Sequence, residues 1–529
     1  MSTADRTPDL AMLYELVDRA RAVVDGAVAQ LRARGGPDVE QQLAYDVAHG
    51  ASAIETARQS LDYAGVGDTE RALVAAFLGI ALSDLHQRVL GREDRWGVDA
   101  NWFAPFATFV AGQREPSTLA ALAESPGDPH LGDDFAMVRE HFRRFAEDQI
   151  RPHAEHVHRT NGDIPETVID GLRDLGGFGL SIPTAYGGDA TGDASEYLAM
   201  VVATEELSRA SLGIGGSLIT RPEILTRALL AGGTEEQKMR WLPRVADASV
   251  LAAIAVTEPD YGSDVASLTT AATRTDGGWL ITGTKTWCTF AARADVLVVL
   301  ARSDPDRVKA HRGLSLFLVE KDRGDSSGFM QLDERGGRLE GRPIDTIGYR
   351  GMHSYEVSFD NWFVPDDHLV GGEDGLGRGF YYQMAGFENG RIQTAARAVG
   401  VMQAAYEAAV AFARDRRVFG APIIDYELTR AKLGAMAAVI QCSRQVALAV
   451  AKLMGDGGGS MEASMAKAYV CRAAEWVTRE AMQIHGGMGY AEEYPVSRYF
   501  VDARVLSIFE GADETLCLKV VARRLVDRG

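Results

Sequence analysis

Hydrophobic residues in the first part of the chain recur at intervals of three and four, which is the spacing of one helical face. Residues 10–33, residues 39–63 and the segment "GVGDTERALVAAFLGIALSDLHQRVL" all follow this pattern. The pattern ends near "GQREPSTLAALAESPGDPHLGDD", which is rich in proline, glycine and acidic residues. The sequence therefore predicts a helical extension over residues 1–112 and a linker over residues 113–134.

The period of the hydrophobic pattern changes twice in the rest of the chain. Helical spacing continues over residues 135–250, and alternation then replaces it in "WLITGTKTWCTFAARADVLVVLAR" and "YEVSFDNWFVP". Long Ala-rich amphipathic stretches return in the last third of the chain, over residues 391–416, 425–454 and 461–484. This order predicts an α+β fold with an N-terminal α domain (135–250), an antiparallel middle β domain (251–370) and a C-terminal helical bundle domain (371–529).

The overall composition narrows the class of protein. A chain of 529 residues is too long for one hydrophobic core, so a multidomain enzyme is the default expectation. A content of 46% hydrophobic residues is ordinary for a soluble globular protein. The formal net charge of -19 makes nucleic acid or an anionic membrane surface an unfavourable partner. We therefore expect no nucleic-acid binding. We also expect no membrane insertion, since no stretch reaches the roughly 18 apolar residues of a membrane span.

The cysteines and the N-terminus indicate a compartment. Cys288, Cys442, Cys471 and Cys517 lie far apart, with no Cys-x-x-Cys pair and mostly apolar neighbours, so we expect reduced core residues. The first residues carry acidic side chains and no continuous apolar segment of the kind that a signal peptide needs. Together these features predict a cytoplasmic protein.

Several motifs with possible chemistry are weak when taken alone. "GLGRGF" and "HGGMGY" do not follow a strand in a βαβ unit, so they do not predict a dinucleotide fold. His153, His156 and His158 have the spacing of metal ligands but no further ligands nearby, so a solvated helix face is preferred and no metal is expected. The polar stretch "AVTEPDYGSDVASL" can present the hydroxyls of Thr257 and Ser263 to a ligand, and an ordinary interstrand loop is the alternative.

Five motifs, taken together and in order, resemble the acyl-CoA dehydrogenase family. They are "AVTEPDYGSD", "WCTFAARAD", "GYRGMHSYEVSFDNWFVP", "RDRRVFG" and "QIHGGMGYAEEYPVSRYFVDARVLSIFEGADET", and the resemblance covers about residues 133–529. It implies a helical domain, a β domain and a C-terminal four-helix domain. It also implies FAD as cofactor, an acyl-CoA substrate, and a homo-oligomer (dimer or tetramer) with FAD bound between subunits.

The same resemblance implies a base for the reaction. Glu510 matches the glutamate that removes the α-proton of the thioester, while a hydride leaves the β-carbon for flavin N5. Its neighbours Ile508 and Phe509 are apolar, so we expect a dry pocket around the carboxylate. Some members carry the base immediately before a helical arginine, and here that position is Gly390, ahead of Arg391. The role therefore falls to Glu510.

Further site residues are implied one by one by the resemblance. The expected cofactor contacts are Thr257, Ser263, Trp287, Cys288, Thr289, Arg416, Phe419, Gln483, Ile484, Gly486, Gly487 and Glu514. The expected substrate contacts are Ser263, Glu388, Arg391, Phe509 and Gly511. Arg416 and Phe419 resemble residues that reach the FAD of a neighbouring subunit.

The helical extension separates this chain from ordinary short- and medium-chain members. With "YDVAHGASAIETARQSLDYAG" and "GREDRWGV" it most resembles members that act on a branched C4-dicarboxylyl thioester. A second buried carboxylate needs a cation or several donors, and Arg221 is the candidate, with a surface arginine at a helix end as the alternative. A long apolar acyl chain is the competing substrate. The expected electron acceptor is electron-transferring flavoprotein, and an oxidase that uses oxygen is the competing reaction.

Overall fold

The computed structural model describes residues 8–528 and is mainly helical. In this range the α-helices are α1 (Leu10–Ala33), α2 (Gln41–Gln59), α3 (Leu61–Ala64), α4 (Asp68–Val89), α5 (Glu93–Trp96), α6 (Ala104–Gln113), α7 (Pro116–Ala121), α8 (Asp133–Phe145), α9 (Arg151–Thr160), α10 (Glu166–Asp174), α11 (Ala194–Ala210), α12 (Thr220–Gly232), α13 (Glu235–Ala246), α14 (Gly379–Asp415), α15 (Glu427–Gly455), α16 (Ser460–Ile484), α17 (Val496–Val505), α18 (Asp513–Thr515) and α19 (Ala522–Arg528). The strands are β1 (Ala252–Ala255), β2 (Ala271–Thr275), β3 (Gly278–Thr289), β4 (Val296–Arg302), β5 (Leu314–Glu320), β6 (Phe329–Leu332), β7 (Arg338–Ile344), β8 (Ser354–Pro365), β9 (Arg417–Val418) and β10 (Ala421–Pro422).

The chain divides into two compact units. The helical unit consists of Met1–Val138 and Thr394–Gly529, and the sheet unit is Arg139–Gln393. The division falls within α8 and α14. The extension and the C-terminal bundle, which the sequence predicts as separate domains, therefore belong to one unit.

In the helical unit, the extension supplies part of the bundle core. Helices α2 and α4 pack against α15, and α2 also packs against α16. The periodic apolar positions of α1 face inward as expected: Leu13, Leu16, Val17, Ala20, Val24, Val28 and Leu31 are all buried. Asp9 caps this helix by accepting a hydrogen bond from the Met12 backbone N–H.

The segment 113–134, predicted as a linker, is partly helical and packs on the bundle. Helix α7 lies so close to α15 that a Cβ at Gly434 would stand 1.8 Å from the carbonyl oxygen of Leu119. Only glycine fits at that position. Further along, the Tyr406 hydroxyl donates to the carbonyl oxygen of Ala123 at 2.7 Å. The proline and glycine residues of this segment interrupt the helical periodicity, but the segment still packs against the bundle.

Within residues 8–528, two helices, α4 and α15 of the helical unit, are long and apolar enough to cross a membrane by length and composition. Buried residues make up 61% of the apolar window of α4 and 89% of that of α15. Packing inside the unit accounts for this composition, because core helices of a bundle are apolar on most sides.

The sheet unit is built on one eight-stranded sheet with the order β1-β4-β2-β3-β8-β7-β6, and β5 pairs with β4. Most neighbours are antiparallel as predicted, but β1 and β2 each pair with β4 in parallel. Alternate residues of β4 serve two hydrophobic cores, with Val298 on one face and Val299 on the other. The core therefore covers both faces of the sheet, and α13 closes one of them with Trp241.

Candidate active site

The loop after β1 in the sheet unit is fixed by a buried ion pair. The Lys285 ammonium on β3 lies 2.9 Å from a carboxylate oxygen of Glu258 and also donates to the Val256 carbonyl. Glu258 accepts further hydrogen bonds from the backbone N–H groups of Thr269 and Thr270, both at 2.8 Å. Neither charged side chain exceeds 3% exposure. The loop that carries Thr257 and Ser263 is therefore attached to the sheet at both ends.

The pKa values of the pair reflect burial and mutual attraction. Burial alone would raise the pKa of Glu258, but the Lys285 charge and the hydrogen bonds from Thr269 and Thr270 bring it down to about 2. Burial lowers the pKa of Lys285 to about 8, against the attraction of Glu258. Both groups are charged at neutral pH.

A β-bulge turns Trp287 outward from this loop. The register of β3 against β8 shifts between Lys285 and Cys288. Trp287 has a φ of 58°, in the left-handed region, and its side chain is 55% exposed. The neighbouring Thr286 N–H donates to the Thr257 carbonyl at 2.8 Å. The structure thus places the backbone next to Trp287 against Thr257, and the contact of both residues with a flavin stays a prediction.

The next two strand residues point inward. Cys288 is fully buried in the apolar core, where burial raises the pKa of its thiol to about 12. Strand alternation turns the Cys288 side chain into the core once Trp287 points outward, so the expected cofactor contact cannot be made by the side chain. Only its backbone remains to contact a ligand. The Thr289 hydroxyl is 3.2 Å from the Ser354 hydroxyl and is also buried.

Arg221 is not the surface arginine that was the alternative for it. It lies in the first turn of α12 and is 7% exposed. Helix α12 packs along the first half of α14: the Thr220 hydroxyl donates to Gln393, and the Asn389 amide donates to Glu223 at 3.1 Å.

The expected substrate residues Glu388 and Arg391 also belong to α14, and both are half-buried. Arg221, Glu388 and Arg391 therefore lie on two helices that pack against each other within the sheet unit.

In the helical unit, Glu510 stands in a strained turn after α17. Its φ of 54° is left-handed, which is uncommon for a residue with a Cβ, and Gly511 follows with a φ of 100°. The turn is closed by the Asp513 N–H, which donates to the Ser507 carbonyl at 3.1 Å. Buried Lys467 donates to the Gly511 carbonyl.

The surroundings of Glu510 are only partly as expected. Phe509 is half-buried, with the guanidinium of Arg397 lying 5.4 Å from its ring centroid, and Glu510 itself is half-buried. Ile508, however, is 53% exposed, so the apolar enclosure expected from both neighbours is wrong for Ile508. Residues in a turn follow neither the helical nor the strand periodicity, so two neighbours in sequence need not be buried on the same side.

The acidic residues after Glu510 differ in environment. Glu514 is exposed at the start of α18. Asp513 is buried and accepts hydrogen bonds from Tyr45 and His49, two residues of α2 in the extension. Sequence reasoning missed both.

Sequence reasoning also missed the buried lysines Lys285 and Lys467, although the sequence carried one signal for each lysine and one for the Tyr45–His49 pair. Lys285 occupies an inward-facing position of a strand, and Tyr45 and His49 recur four apart in a helix of small residues. Lys467 lies on the buried side of α16. A polar side chain at an apolar position indicates a buried partner, but the sequence does not say which one.

The remaining expected cofactor residues lie on open surface of the helical unit. Phe419 is fully exposed, with a φ of 47°, at the tip of the β9–β10 hairpin, and Arg416 before it is exposed too. Gln483 and Ile484 end α16. At Gly486 and Gly487 an added Cβ would meet nothing within 4 Å.

The residues present fit FAD. In the sheet unit, the exposed indole of Trp287 offers a flat face to a ring system, and the loop around Thr257 offers hydroxyl and backbone donors. In the helical unit, taken by itself, exposed Arg416 offers a guanidinium of the kind that binds a pyrophosphate. Trp287, Phe419 and Glu510 are all among the non-glycine residues with positive φ in residues 8–528. Such conformations persist where the surrounding structure holds them, and they cluster at functional sites.

Three family models match consecutive parts of the chain. The acyl-CoA dehydrogenase N-terminal domain matches residues 132–249, the middle domain residues 253–362 and the C-terminal domain residues 377–526.

The proteins similar to this chain include one relative that matches over nearly its whole length and two solved structures. The relative is a protein named (2S)-methylsuccinyl-CoA dehydrogenase of Cereibacter sphaeroides, 37% identical over 99% of this chain and 97% of its own. The butyryl-CoA dehydrogenase of Megasphaera elsdenii has a TM-score of 0.68 and 29% identity over 75% of this chain and all of its own. A structure described as the electron transferring flavoprotein of Acidaminococcus fermentans has a TM-score of 0.67 and 29% identity over 76% of this chain and all of its own.

Proposed function

The chain belongs to the acyl-CoA dehydrogenase family of FAD-dependent oxidoreductases, and from this we propose that it oxidises (2S)-methylsuccinyl-CoA to mesaconyl-CoA. One observation carries the choice of substrate. The match to the relative of that name extends over 99% of this chain and so includes the extension, whereas the two similar solved structures cover 75% and 76%. The extension is thus shared with a protein named for a branched dicarboxylyl substrate.

We assign the base to Glu510. A thioester α-proton is weakly acidic, so its removal needs a carboxylate held at a fixed position. The left-handed backbone at Glu510, the Lys467 bond to Gly511 and the Asp513–Ser507 bond all restrict that position. FAD, when bound, supplies the acceptor for the two electrons that leave with the β-hydrogen.

The seam of α12 and α14 supports a substrate with a second carboxylate. Arg221 places a cation in this buried seam. Gln383 of α14 is fully buried, and within residues 8–528 neither end of its side-chain amide has a hydrogen-bond partner. A buried amide without partners is costly, and a polar acyl group would satisfy it. A long apolar chain would leave the Gln383 amide without a partner.

A panel of thioesters tests the substrate. We expect methylsuccinyl-CoA to bleach the flavin absorbance under anaerobic conditions much faster than butyryl-, isobutyryl-, glutaryl- or long-chain acyl-CoA. Faster bleaching by a long-chain ester would reject the assignment, and rapid turnover with oxygen as sole acceptor would identify an oxidase.

Two variants separate the base from the substrate cation. Glu510→Gln keeps the size and hydrogen bonding of the side chain, so FAD content and ligand affinity should remain while flavin reduction falls by about a thousandfold or more. Arg221→Ala should weaken methylsuccinyl-CoA about a hundredfold more than butyryl-CoA, since only the former presents a second carboxylate. Flavin reduction retained in a single turnover of Glu510→Gln would reject Glu510 as the base. Equal losses of affinity for both esters in Arg221→Ala would reject Arg221 as the substrate cation.

The assembly and electron acceptor are also proposals. Fully exposed Phe419 on a two-stranded hairpin supports a homo-oligomer, dimer or tetramer, in which this hairpin reaches the FAD of a neighbouring subunit. Phe419→Ala should then lower both FAD content and the oligomer mass measured by light scattering.

We propose electron-transferring flavoprotein as the electron acceptor, and its reduction in coupled turnover tests this. We also propose a cytoplasmic location, which four free buried cysteines support.

A further inference from the structure

A buried polar cluster in the helical unit joins the extension to the turn of the proposed base. The Tyr45 hydroxyl of α2 donates to the Asp513 carboxylate at 2.6 Å. One turn later, His49 Nε2 lies 3.0 Å from the same oxygen, Oδ2. His49 is 3% exposed and Asp513 is 8% exposed. Cys517, one turn after Asp513, places its Sγ 3.4 Å from His49 Nε2.

The protonation of the cluster favours hydrogen bonds from the extension to a carboxylate. Burial alone would raise the pKa of Asp513, but the bonds from His49 and Tyr45 outweigh it and hold that pKa below its usual range. Burial lowers the pKa of His49, so its imidazole is neutral near pH 7. Because an ionised carboxylate only accepts, His49 must carry its proton on Nε2 and donate it.

Asp513 is mechanically linked to Glu510. Its backbone N–H closes the turn by donating to Ser507, and Glu510 stands at the middle of that turn with a left-handed φ. A left-handed conformation is unfavourable for a residue with a Cβ and persists only when its surroundings enforce it. Lys467 holds Gly511 on one side of Asp513. The Asp513 carboxylate itself accepts hydrogen bonds from Tyr45 and His49 of α2, and the thiol of Cys517 lies beside its other oxygen.

We propose that the N-terminal extension is a positioning element for the base: Tyr45 and His49 fix Asp513, and Asp513 fixes the backbone turn that aims Glu510. This rests on the proposed function only in taking Glu510 as the base. Neither α2 residue needs to touch substrate or cofactor for this role. It gives the extension, which contains no chemistry of its own, a part in the reaction.

A metal site is the competing interpretation of the same atoms. One ligand atom each from His49, Asp513 and Cys517 lie within 4.8 Å of one another. Against it, Asp513 Oδ2 already accepts two hydrogen bonds, and the positive charges of Arg472 and Arg88 act on the cluster. Burial raises the pKa of the Cys517 thiol, whereas a metal ligand must be a thiolate.

The test uses the full-length, FAD-loaded enzyme and the mild substitution Tyr45→Phe, which removes one hydroxyl. We expect flavin reduction in a single anaerobic turnover to slow about tenfold with unchanged substrate affinity and FAD content. The isotope effect from deuterium at the substrate α-carbon should rise, because proton removal becomes more rate-limiting. Amide hydrogen exchange of residues 507–517 should accelerate, while that of residues 251–370 stays the same. This exchange readout does not depend on activity.

Matched variants control for general destabilisation. Tyr14→Phe removes an exposed hydrogen bond to Asp62 elsewhere in the extension and should change none of these quantities. His49→Leu removes the second donor and should behave as Tyr45→Phe does, whereas His49→Gln keeps an N–H at a similar position and should recover most of the rate.

The outcomes distinguish the two levels of inference. If Glu510→Gln abolishes reduction but Tyr45→Phe and His49→Leu leave the rate, the isotope effect and the amide exchange unchanged, the positioning role is wrong and the base assignment stands. If Glu510→Gln reduces the flavin normally, the base assignment fails first. If the purified protein contains one equivalent of zinc or another transition metal that His49→Leu loses, the polar cluster is a metal site and the hydrogen-bonding interpretation is wrong.

Discussion

Two buried carboxylates hold the predicted site segments, one in each unit, and they are stabilised by different partners. Glu258 in the sheet unit faces the ammonium of Lys285, 27 positions along the chain. Asp513 in the helical unit faces a phenol and an imidazole, 468 and 464 positions away. The first device is contained in one contiguous stretch of sequence. The second exists only because the extension and the C-terminal residues share a unit.

Removing the cation from the first carboxylate should have the largest effect. Lys285→Met leaves the charge of Glu258 buried without its ammonium partner, which costs about 3–5 kcal/mol of unfolding free energy. Denaturant titration measures this loss, and flavin absorbance should report lower FAD content because the Thr257 loop loses its attachment. Lys309→Met is the control, since its pair with Asp304 is more exposed. Similar losses in both variants would contradict a special role for burial.

The pH dependence of the unfolding free energy should distinguish the buried Glu258–Lys285 pair from ordinary surface carboxylates. The pKa of Glu258 is lowered in the folded protein to about 2, so its contribution of about 3 kcal/mol is complete above its unfolded value of 4.5 and is lost as the pH falls toward 2. In Glu258→Gln, the unfolding free energy should be lower at neutral pH but decline less steeply below pH 5. Parallel curves for the variant and the natural protein would show that the pKa of Glu258 is not shifted.

The second carboxylate should depend less on its charge. In Asp513→Asn the amide oxygen still accepts from Tyr45 and His49, so we expect a loss of only about 1–2 kcal/mol of unfolding free energy. Asp128→Asn, exposed in the same unit, is the control. A loss as large as that of Lys285→Met would mean that the charge of Asp513, and not its hydrogen bonding, stabilises the turn.

The smallest effect on stability is expected at Trp287. Its side chain is more than half exposed, so Trp287→Ala should change the unfolding free energy of the FAD-free protein by no more than about 0.5 kcal/mol. FAD affinity, measured by titration of the apoprotein, should nevertheless fall. Val308→Ala, exposed in the same unit, should change neither quantity. A stability loss at Trp287 comparable to that of Asp513→Asn would assign the indole to the core instead.

Local patterns predicted the elements well where the period was regular. The stretches 425–454 and 461–484 correspond to α15 and α16 within two residues, because their apolar spacing is continuous. Helix α14 begins at Gly379, earlier than the amphipathic stretch from residue 391, because "GFYYQMAGFENG" mixes glycines with aromatic residues and has no clear period. The parallel pairing of β1 with β4 joins strands that are not consecutive, and no local signal specifies it.

The sequence predicted which residues belong to the site better than it predicted the burial and the contacts of those residues. Trp287 and Glu510 occupy strained backbone positions, which suits the roles expected of them, but the inward side chain of Cys288 depends on a bulge that single letters do not reveal. Ile508 is exposed because the turn breaks the period. The partners of Asp513 lie at the other end of the chain, so only the structure could identify them.

The discontinuous helical unit also sets an order for biosynthesis. Helices of the extension leave the ribosome first, but α15 and α16, against which they bury their apolar faces, follow only after about 250 residues of the sheet unit. At roughly 5–20 residues per second, the extension waits on the order of tens of seconds with those faces uncovered. We therefore expect the sheet unit to mature during translation, while the nascent extension depends on chaperones until the last helices emerge.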